Sequence, residues 1–484
     1  MADDVRGLEP RALWNNFADL NEIPRASKKE EEVIEFAKNF GEGLGLETLV
    51  DKTGNVIIKK PASPGMQNRS VLALQSHLDM VHQKNADTNF DFDTQGIKMY
   101  VDGDWVKAKG TTLGADNGIG VAAILSLLAA DDIPHPPLEA LFTIDEETGM
   151  TGAKGLAGGM LEAKIMLNLD TEDDDELTIG CAGGIDVTAE GSYNEEQLPE
   201  GYLSFVINLK GLKGGHSGVE IQLGRGNANK LMNRFLSTTA KELELNISEI
   251  DGGGLRNAIP RESSAIFSIQ ESKTNMFLLA VENFNIILSE ELAITDPDAQ
   301  LIVERTNEAG SVLAKEFQDK LLRGIYACPN GVHRMSPEID GLVQTSNNLA
   351  RVLVKDGKYQ VLCLTRSSLE SEKNDEVNAI SAAFELIGAA VTTDGEYPGW
   401  TPRPEASIVK MMQQLYKDLF QREAKVMAIH AGLECGILGT HYPDMEMISF
   451  GPNIYGAHSP DERAQISSVQ KFWKYLLETL KNTP

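Results

Sequence analysis

The chain has 484 residues, 42% hydrophobic and 24% charged, which is the composition of an ordinary globular protein of about two to three domains. Its 44 basic and 72 acidic residues give a net charge of −28, and we expect that charge to repel nucleic acids and anionic membrane surfaces. No run approaches the roughly 18 apolar residues of a membrane span, no secretory leader is evident, and four scattered cysteines fit a reducing cytoplasm.

The first part of the chain predicts strands that alternate with helices. An apolar run predicts a buried strand over Val71–Gln75, and apolar residues at i, i+3, i+4 and i+7 predict a helix over Ile119–Ala130. Leu138–Ile144 and Ile165–Leu169 predict two further strands. This alternation is typical of an α/β sheet, in which ligands bind where strands end and loops begin.

A second α/β series follows the stretch Gly180–Gly184. It predicts strands over 203–209 and 265–269 and helices over 228–243 and 275–292. After 398–402 the chain predicts a helix over 408–419, a strand over 425–429 and a helix over 469–480. The economical interpretation is one catalytic domain made of residues 1–185 and 399–484, interrupted by an inserted domain at 186–398.

Five short segments carry side chains that can do chemistry, and each lies at a strand end or in a loop. They are His77-Leu78-Asp79, TLGADNG (112–118), DEETG (145–149), NLDTE (168–172) and GAHSPDE (456–462). Singly, each has an ordinary explanation, such as a surface ion pair, a solvated glutamate pair or a turn. Together they supply two imidazoles and several carboxylates at sheet ends, a ligand set that suits zinc, cobalt or manganese.

With these segments the sequence resembles the M20 metallopeptidase family, most closely its aminoacyl-histidine dipeptidase branch. The matching segments are SHLDMV (76–81), GTTLGADNGIG (110–120), DEETGMTGA (145–153), NLDTED (168–173), KGGHSG (213–218), NAIPRE (257–262) and FGPNIYGAHSPDE (450–462). They follow one another in order along nearly the whole chain. The resemblance implies an α/β fold, with a discontinuous zinc-peptidase-like catalytic domain (a mixed sheet flanked by helices) and a large inserted α/β lid domain.

The resemblance also implies two divalent metal ions, zinc first, with cobalt or manganese as alternatives. Asp116 would bridge them, His77 and Asp170 would complete one ion, and Glu147 and His458 the other. A bridging carboxylate can hold two ions about 3.5–4 Å apart, the spacing at which both act on one water and one substrate oxygen. The family pattern further implies a cis peptide bond between Asp116 and Asn117.

Glu146 and Asp79 are the implied catalytic residues next to these ligands. Glu146 would take a proton from the attacking water and pass it to the leaving amine. We expect its side chain to point away from Glu147, because neighbouring side chains on extended backbone face opposite ways. Asp79 lies two residues beyond His77 and could accept the ring N–H that is not used for metal.

The inserted domain and the C-terminal part supply candidates for substrate binding. The resemblance assigns His216, which has glycines on both sides, to the transition-state oxyanion. It assigns Asn257 to the substrate backbone and Arg366 to the C-terminal carboxylate, which a guanidinium can bind bidentately. Glu434, in HAGLECG (430–436), is the candidate for the free amino group of the substrate.

The sequence therefore predicts a metallo-dipeptidase for small dipeptides with a free amino terminus, including Xaa-His dipeptides such as carnosine. Another M20 activity, tripeptide aminopeptidase or N-acyl amino acid deacylase, is the alternative, because pocket shape alone separates the three. A non-catalytic binding protein on the same fold is disfavoured, since Glu146 and all five implied ligands are present. The large insert favours a homodimer, although some relatives with doubled lids are monomers.

Overall fold

The computed structural model describes residues 5–198, 200–307 and 310–484, which form two compact units. The first unit comprises residues 5–181, 400–428 and 433–484, and the second comprises the described residues of 182–399 together with 429–432. In these ranges no helix is long and apolar enough to cross a lipid bilayer.

The first stretch of the first unit alternates helices and strands. They are α1 (Arg11–Leu20), α2 (Glu31–Gly43), β1 (Glu47–Val50), β2 (Val56–Lys60), β3 (Leu72–His77), β4 (Met99–Asp102), β5 (Trp105–Ala108), α3 (Ala115–Ala129), β6 (Leu138–Thr143), α4 (Thr151–Gly155), β7 (Ile165–Asn168) and β8 (Glu176–Cys181). The predicted strand and helix pattern of this stretch is confirmed, with ends that shift by a few residues.

The second unit follows with its own helices and strands. They are β9 (Gly183–Ser192), β10 (Glu195–Gln197), β11 (Tyr202–Lys210), β12 (Gly215–His216), α5 (Ala228–Leu243), β13 (Asn246–Gly253), β14 (Ala258–Ile259), β15 (Ser263–Gln270), α6 (Thr274–Glu291), β16 (Gln300–Thr306), β17 (Ser311–Leu313), α7 (Lys315–Ala327), β18 (Gly331–Met335), β19 (Val343–Lys355), β20 (Lys358–Ser367), α8 (Glu370–Glu385) and β21 (Ala390–Tyr397). Short 3₁₀ turns lie at Ile221–Leu223 and Glu271–Lys273. Helix α5 has the bounds that the apolar spacing predicts.

The C-terminal stretch completes the first unit. It contains α9 (Ser407–Phe420), β22 (Lys425–Ile429), α10 (Glu434–His441), β23 (Glu446–Ser449), β24 (Ile454–Tyr455), β25 (Arg463–Gln465) and α11 (Ile466–Asn482). Its strands join those of the first stretch in an eight-stranded sheet of order β1-β2-β6-β3-β7-β23-β8-β22 and a four-stranded sheet of order β24-β25-β5-β4.

The eight-stranded sheet is mixed and is flanked by helices. Strands β6, β3, β7 and β23 run parallel, while β2 pairs antiparallel with β6 and β8 pairs antiparallel with β23. Every residue of β3 and β6 is buried, as expected for strands covered on both faces. Helix α3 packs against β3, α2 against β2 and α9 against β23.

The second unit is built on an antiparallel sheet of order β16-β11-β15-β13-β19-β20-β9-β21, with β18 paired to β19. Its apolar core joins strands and helices through a cluster of aromatic rings. Phe205 and Phe267 come from β11 and β15, and Phe235, Phe277 and Phe284 come from α5 and α6. The unit therefore has a core of its own.

Candidate active site

Parallel strands bring the chemistry-bearing segments of the first unit to one edge of the sheet. His77 is the last residue of β3, Glu146 follows the end of β6, and Asp170 follows the end of β7. Because β3, β6 and β7 are parallel neighbours, their carboxyl ends lie side by side. Asp116 reaches the same place from the first turn of α3.

The buried ring of His77 faces two carboxylates. Its Nδ1 lies 3.1 Å from the carbonyl oxygen of Asp79 and donates to it, which leaves Nε2 as the atom available for a metal. That Nε2 lies 3.2 Å from Asp116 Oδ1 and 3.4 Å from Asp170 Oδ1. Burial acts to lower the pKa of His77, but Asp170 and Asp116 raise it well above its ordinary value.

A second cluster forms around His458, and Asp116 belongs to both. His458 Nε2 lies 3.2 Å from Asp116 Oδ2 and 3.0 Å from Glu147 Oε2. Asp116 therefore turns one carboxylate oxygen towards each histidine. In each cluster, His77–Asp116–Asp170 and Asp116–Glu147–His458, the potential ligand atoms lie within 4.8 Å of one another.

The donors of these clusters fit divalent cations. Imidazole nitrogens and carboxylate oxygens are the common ligands of zinc and of later first-row metals. Glu147 Oε1 is buried and has no hydrogen-bond partner among the described residues. Burial raises the pKa of Asp170 and Glu147, and Asp116 raises both further, so a cation would relieve repulsion that the protein alone leaves in place.

The peptide bond between Asp116 and Asn117 is cis, as the sequence resemblance implies. The side chain of Asn117 donates a hydrogen bond to Asp170 Oδ1. The residue that follows one candidate ligand therefore holds another in place.

Glu146 lies beside the ligand candidates, but its orientation differs from the prediction. The extended backbone ends at Thr143, and residues 146–149 form a turn that follows a positive φ of 52° at Asp145. The rule for extended backbone therefore does not apply, and the carboxylates of Glu146 and Glu147 both come within 4.8 Å of His77. Burial, together with the charges of Asp170 and other carboxylates, raises the pKa of Glu146 well above its ordinary value.

Asp79 supports this turn more directly than it supports His77. Its carboxylate lies 3.4 Å from His77 Nδ1, whose closer contact is the Asp79 carbonyl oxygen. The carboxylate instead accepts the backbone N–H groups of Glu146 at 3.0 Å and Glu147 at 3.3 Å, and the hydroxyl of Ser27 at 2.8 Å. Asp79 thus fixes the backbone that carries the candidate base.

Two residues that support the site were missed by the sequence analysis. Buried Glu462 accepts the backbone N–H groups of residues 113–116 at 2.7–3.3 Å, and so holds the loop that presents Asp116. Fully buried Arg25 donates to the carbonyl oxygens of Leu78, Asp79 and Gly114 at 2.6–3.1 Å. Glu462 falls inside a matching segment, but its partners are main-chain groups that no side-chain motif reveals.

Glu172 is a third residue without an assigned role. Burial raises its pKa to about 8, and the charges of Asp116 and Asp170 act in the same direction. It adds a carboxylate to a region that already has an excess of them.

Glu434, the candidate for binding an amino group, is buried at the start of α10. Its Oε2 accepts hydrogen bonds from Gln75 at 2.7 Å and from Thr143 at 2.6 Å. Its Oε1 is buried and has no partner within the described ranges. Burial raises its pKa to about 8, with smaller effects of opposite sign from Thr143 and Asp170. One carboxylate oxygen is therefore fixed, and the other is open to a donor.

In the second unit, the loop around His216 determines which ring nitrogen carries the proton. The backbone takes positive φ at Gly214 and Gly215, and the N–H groups of Gly218 and Val219 donate to His216 Nδ1 at 3.1 and 3.2 Å. Because Nδ1 accepts, the proton of the neutral ring lies on Nε2. Burial and the nearby Arg366 lower the pKa of His216, which favours this neutral donor form.

The other two candidates of this unit differ in burial. Arg366 lies in β20 and is 5% exposed; its Nη1 donates to the Tyr397 hydroxyl at 2.6 Å, and its buried Nε has no partner in the described parts of the chain. Asn257 is exposed, and its carbonyl oxygen accepts from Ser217 N–H at 2.8 Å. That bond ties the Asn257 segment to the loop of His216.

His430 is a buried neighbour of this group that the sequence analysis did not assign. Its Nε2 lies 2.7 Å from Ser346 Oγ, and burial together with the charge of Arg366 lowers its pKa to about 3. The ring is therefore neutral at ordinary pH. The sequence shows only an isolated histidine in a glycine-containing segment, which does not predict that the ring is buried near Arg366.

The chain is similar to characterised enzymes along its whole length. It is 44% identical over 481 residues to the cytosol non-specific dipeptidase of Escherichia coli (strain K12), covering 99% of each chain. It matches the crystal structure of aminoacylhistidine dipeptidase from Vibrio alginolyticus with a TM-score of 0.94 and 43% identity, covering 99% of this chain and 98% of that one. A tripeptidase from Staphylococcus aureus shares the fold, with a TM-score of 0.57, 18% identity and 98% of each chain covered.

These likenesses confirm the predicted fold class and the resemblance stated from the sequence. They also confirm the prediction of an enzyme that hydrolyses peptide bonds. The structure adds a cluster of side chains that can hold metal. The sequence model of peptidase family M20/M25/M40 matches residues 73–482, and the chain belongs to that family.

Proposed function

We propose that this protein is a metal-dependent dipeptidase for dipeptides with a free amino terminus, including Xaa-His dipeptides such as carnosine. The observation that carries the proposal is the position of Asp116, which presents Oδ1 to His77 and Oδ2 to His458. The names of the Escherichia coli and Vibrio alginolyticus relatives, a non-specific dipeptidase and an aminoacylhistidine dipeptidase, support the substrate class.

The proposed metal centre would hold two divalent ions, and Asp116 would be a ligand of both. His77 and Asp170 complete one set of ligands, and Glu147 and His458 the other. Zinc is the first candidate, and cobalt or manganese would accept the same ligands. When bound, such ions polarise the scissile carbonyl and lower the pKa of the attacking water towards about 7.

Glu146 is the proposed general base and acid. It lies next to His77 and Glu147 without belonging to either Asp116 cluster, so its carboxylate is available to take the proton of the water. The same group then delivers that proton to the nitrogen of the leaving amine. Asp79 keeps Glu146 in place by accepting the N–H groups of the turn.

The open donors and acceptors of the chain suit the two charged ends of a dipeptide. Glu434 Oε1 is proposed to accept a hydrogen bond from the substrate ammonium group, an interaction that an N-acylated substrate cannot make. Arg366 is proposed to bind the substrate carboxylate, and His216 Nε2 to donate to the oxyanion. Asn257 is proposed to contact the substrate backbone.

A substrate panel on metal-reconstituted protein tests the proposal. β-Alanyl-histidine, an α-dipeptide, a tripeptide and an N-acetyl amino acid are each assayed with added zinc, cobalt or manganese, and metal content is measured by mass spectrometry. We expect two ions per chain and turnover of the two free-amino dipeptides. Turnover confined to the tripeptide or to the N-acetyl amino acid would transfer the proposal to the other M20 activities.

Paired variants separate the base from the ligands. Glu146→Gln should keep both ions while kcat falls by about 10²–10⁴-fold, the usual contribution of general acid–base catalysis. Glu147→Gln, its neighbour in the same turn, should lose metal instead. His216→Ala should lower kcat with metal content unchanged. Unchanged turnover of the Glu146→Gln protein would refute its role as the base.

We further propose that the enzyme acts in the cytoplasm as a homodimer. The word "cytosol" in the name of the Escherichia coli relative supports the location. Fractionation of cells and sedimentation of the purified protein test the two proposals separately.

A further inference from the structure

Three residues on three adjacent strands of the second unit form a single row across the sheet. Arg366 of β20 pairs with Gly184 of β9, and Gly184 pairs on its other side with Tyr397 of β21. The central position of this row therefore has no side chain.

The missing side chain leaves the space that Tyr397 uses. A Cβ atom on Gly184 would lie 2.5 Å from atoms of the Tyr397 ring, far inside van der Waals contact. With glycine there, the ring lies over β9 and its hydroxyl accepts a hydrogen bond of 2.6 Å from Arg366 Nη1. Contact between the first and third strands of the row depends on this glycine.

The hydroxyl orients the guanidinium without neutralising it. Arg366 is 5% exposed, and no ion pair joins it to a carboxylate of the described residues; Asp186, an acidic group on which its charge acts, pairs with Arg256 at 3.2 Å. The buried Nε of Arg366 has no hydrogen-bond partner among the described residues either. A carboxylate in place of the phenol would compete with an incoming anion, whereas a neutral acceptor leaves the full charge and the remaining donors available.

The backbone of Tyr397 is itself fixed. Its carbonyl oxygen accepts a hydrogen bond of 3.1 Å from the Nζ of Lys373, a fully buried lysine of α8. Lys373 also pairs with Glu370 at 2.8 Å and Glu396 at 3.2 Å. The end of β21 is thereby held against α8, which fixes the position of the Tyr397 backbone and so of the hydroxyl that binds Arg366.

We propose that Tyr397 is a positioning residue that aims Arg366 at the α-carboxylate of the substrate, and that the Gly184–Tyr397 pair thereby sets the selectivity for substrates with a free C-terminal carboxylate. This inference rests on the proposed function, because it takes Arg366 as the group that binds the carboxylate. It predicts an effect on the binding of one end of the substrate only.

The test compares a dipeptide with its C-terminal amide. In Tyr397→Phe, KM for the dipeptide should rise about tenfold, the loss expected when one hydrogen bond to a charged group is removed. Its kcat should stay within about twofold of the parent value, and KM for the amide should not change. Gly184→Ala should reproduce this pattern, because its methyl group displaces the ring.

The same sheet offers a matched control pair. Gly191 of β9 pairs with Tyr359 of β20, and a Cβ atom on Gly191 would lie 2.7 Å from the Tyr359 ring. Tyr359→Phe and Gly191→Ala therefore repeat the two substitutions in the same sheet, at a different pair of residues. Both should leave the KM ratio of dipeptide to amide unchanged, even where they lower thermal stability.

A binding measurement separates this inference from the proposed function. Metal-loaded Glu146→Gln protein is titrated calorimetrically with the dipeptide and with its amide, with and without Tyr397→Phe. We expect a preference of at least about tenfold for the dipeptide, most of which the second substitution removes. Equal affinities at the outset, or a preference that survives Tyr397→Phe, would overturn the inference and leave dipeptide turnover standing. A preference that Tyr397→Phe removes, in a parent protein that turns over no dipeptide, would support the inference and reject the proposed function.

Discussion

Glu462→Gln is the substitution that most directly tests how the protein holds Asp116. The carboxylate of Glu462 accepts four backbone N–H groups, Leu113 and Gly114 on Oε2 and Ala115 and Asp116 on Oε1. Glutamine keeps the shape of the side chain but retains only one acceptor oxygen. Its amide NH₂ group would face two backbone N–H donors, and it cannot accept hydrogen bonds from them.

The expected loss follows from the geometry of these four bonds. Two of them disappear in the variant, and each hydrogen bond to a charged group contributes about 1.5–3 kcal/mol. Glu462 is 2% exposed, so water cannot replace the lost acceptor. The unfolding free energy of the first unit should therefore fall by about 3 kcal/mol or more. A misplaced Asp116 should also weaken metal affinity by about 10–100-fold, as is usual when a supporting contact to a ligand is lost.

Tryptophan fluorescence in guanidinium is a suitable assay. All four tryptophans, Trp14, Trp105, Trp400 and Trp473, belong to the unit that contains Glu462, so the signal reports on that unit. Asp461→Asn is the matched control, because it changes an exposed acidic neighbour and should alter stability by less than about 0.5 kcal/mol. If Glu462→Gln had the same unfolding free energy as the control and the same metal affinity as the parent, the reasoning about this carboxylate would be wrong.

Three further predictions use the same protein. Arg25→Met removes three hydrogen bonds from a charged donor to buried carbonyl oxygens, of which those of Asp79 and Gly114 keep a second donor. It should lower the tryptophan-detected unfolding free energy by about 3 kcal/mol or more, and an unchanged midpoint would refute this. Removing metal with a chelator should lower the unfolding free energy by about 4 kcal/mol relative to protein with free metal at about a thousand times Kd. Restoring the metal should return the unfolding free energy to its original value. Burial and Arg366 lower the pKa of His430 to about 3, so protonation favours the unfolded chain and stability falls as pH drops below about 6.5. In chelator, the stability of the parent relative to His430→Gln should therefore decrease by about 2 kcal/mol between pH 6.5 and 5 by circular dichroism, and parallel curves would contradict it.

The sequence predicted the central part of the fold because burial there is complete. Strands β3 (LALQSH) and β6 (LEALFT) are buried at every residue, and their mainly apolar sequences are the pattern that predicted them. Helix α5 shows one apolar face against the sheet, and its spacing predicted both ends. The small sheet of β24, β25, β5 and β4 was not predicted, because strands of two to four residues are too short to show a period.

The candidate ligands could be predicted for a different reason, since their residue types and order match a known pattern. The residues that hold these ligands in place could not be predicted. The bond from Ala115 N–H to Glu462 joins residues 347 positions apart, and its donor is main chain. Arg25 likewise binds carbonyl oxygens, which every residue possesses. Sequence patterns report side-chain identity, whereas these contacts depend on how the chain returns in three dimensions.

The orientation of Glu146 shows the same limit at short range. The prediction placed the strand at Leu138–Ile144 and applied the rule for extended backbone to Glu146 and Glu147, but the chain turns after Thr143 with a positive φ at Asp145. That turn brings Glu146 and Glu147 to the same histidine instead of opposite faces. The turn is stabilised by Asp79, whose acceptor role again concerns backbone N–H groups.

The carboxylates of the first unit explain why metal and fold should depend on each other. Burial raises the pKa values of Glu146, Glu147, Asp170 and Glu172, and neighbouring acidic groups raise them further, so the protein alone holds these side chains at a cost in free energy. Protons could offset that cost, but a protonated Glu146 cannot act as a base. Divalent cations offset it while leaving Glu146 ionised, because their charge stabilises every carboxylate around them. Metal binding should thus stabilise the folded unit and keep the proposed base, Glu146, ionised through the same electrostatic interaction.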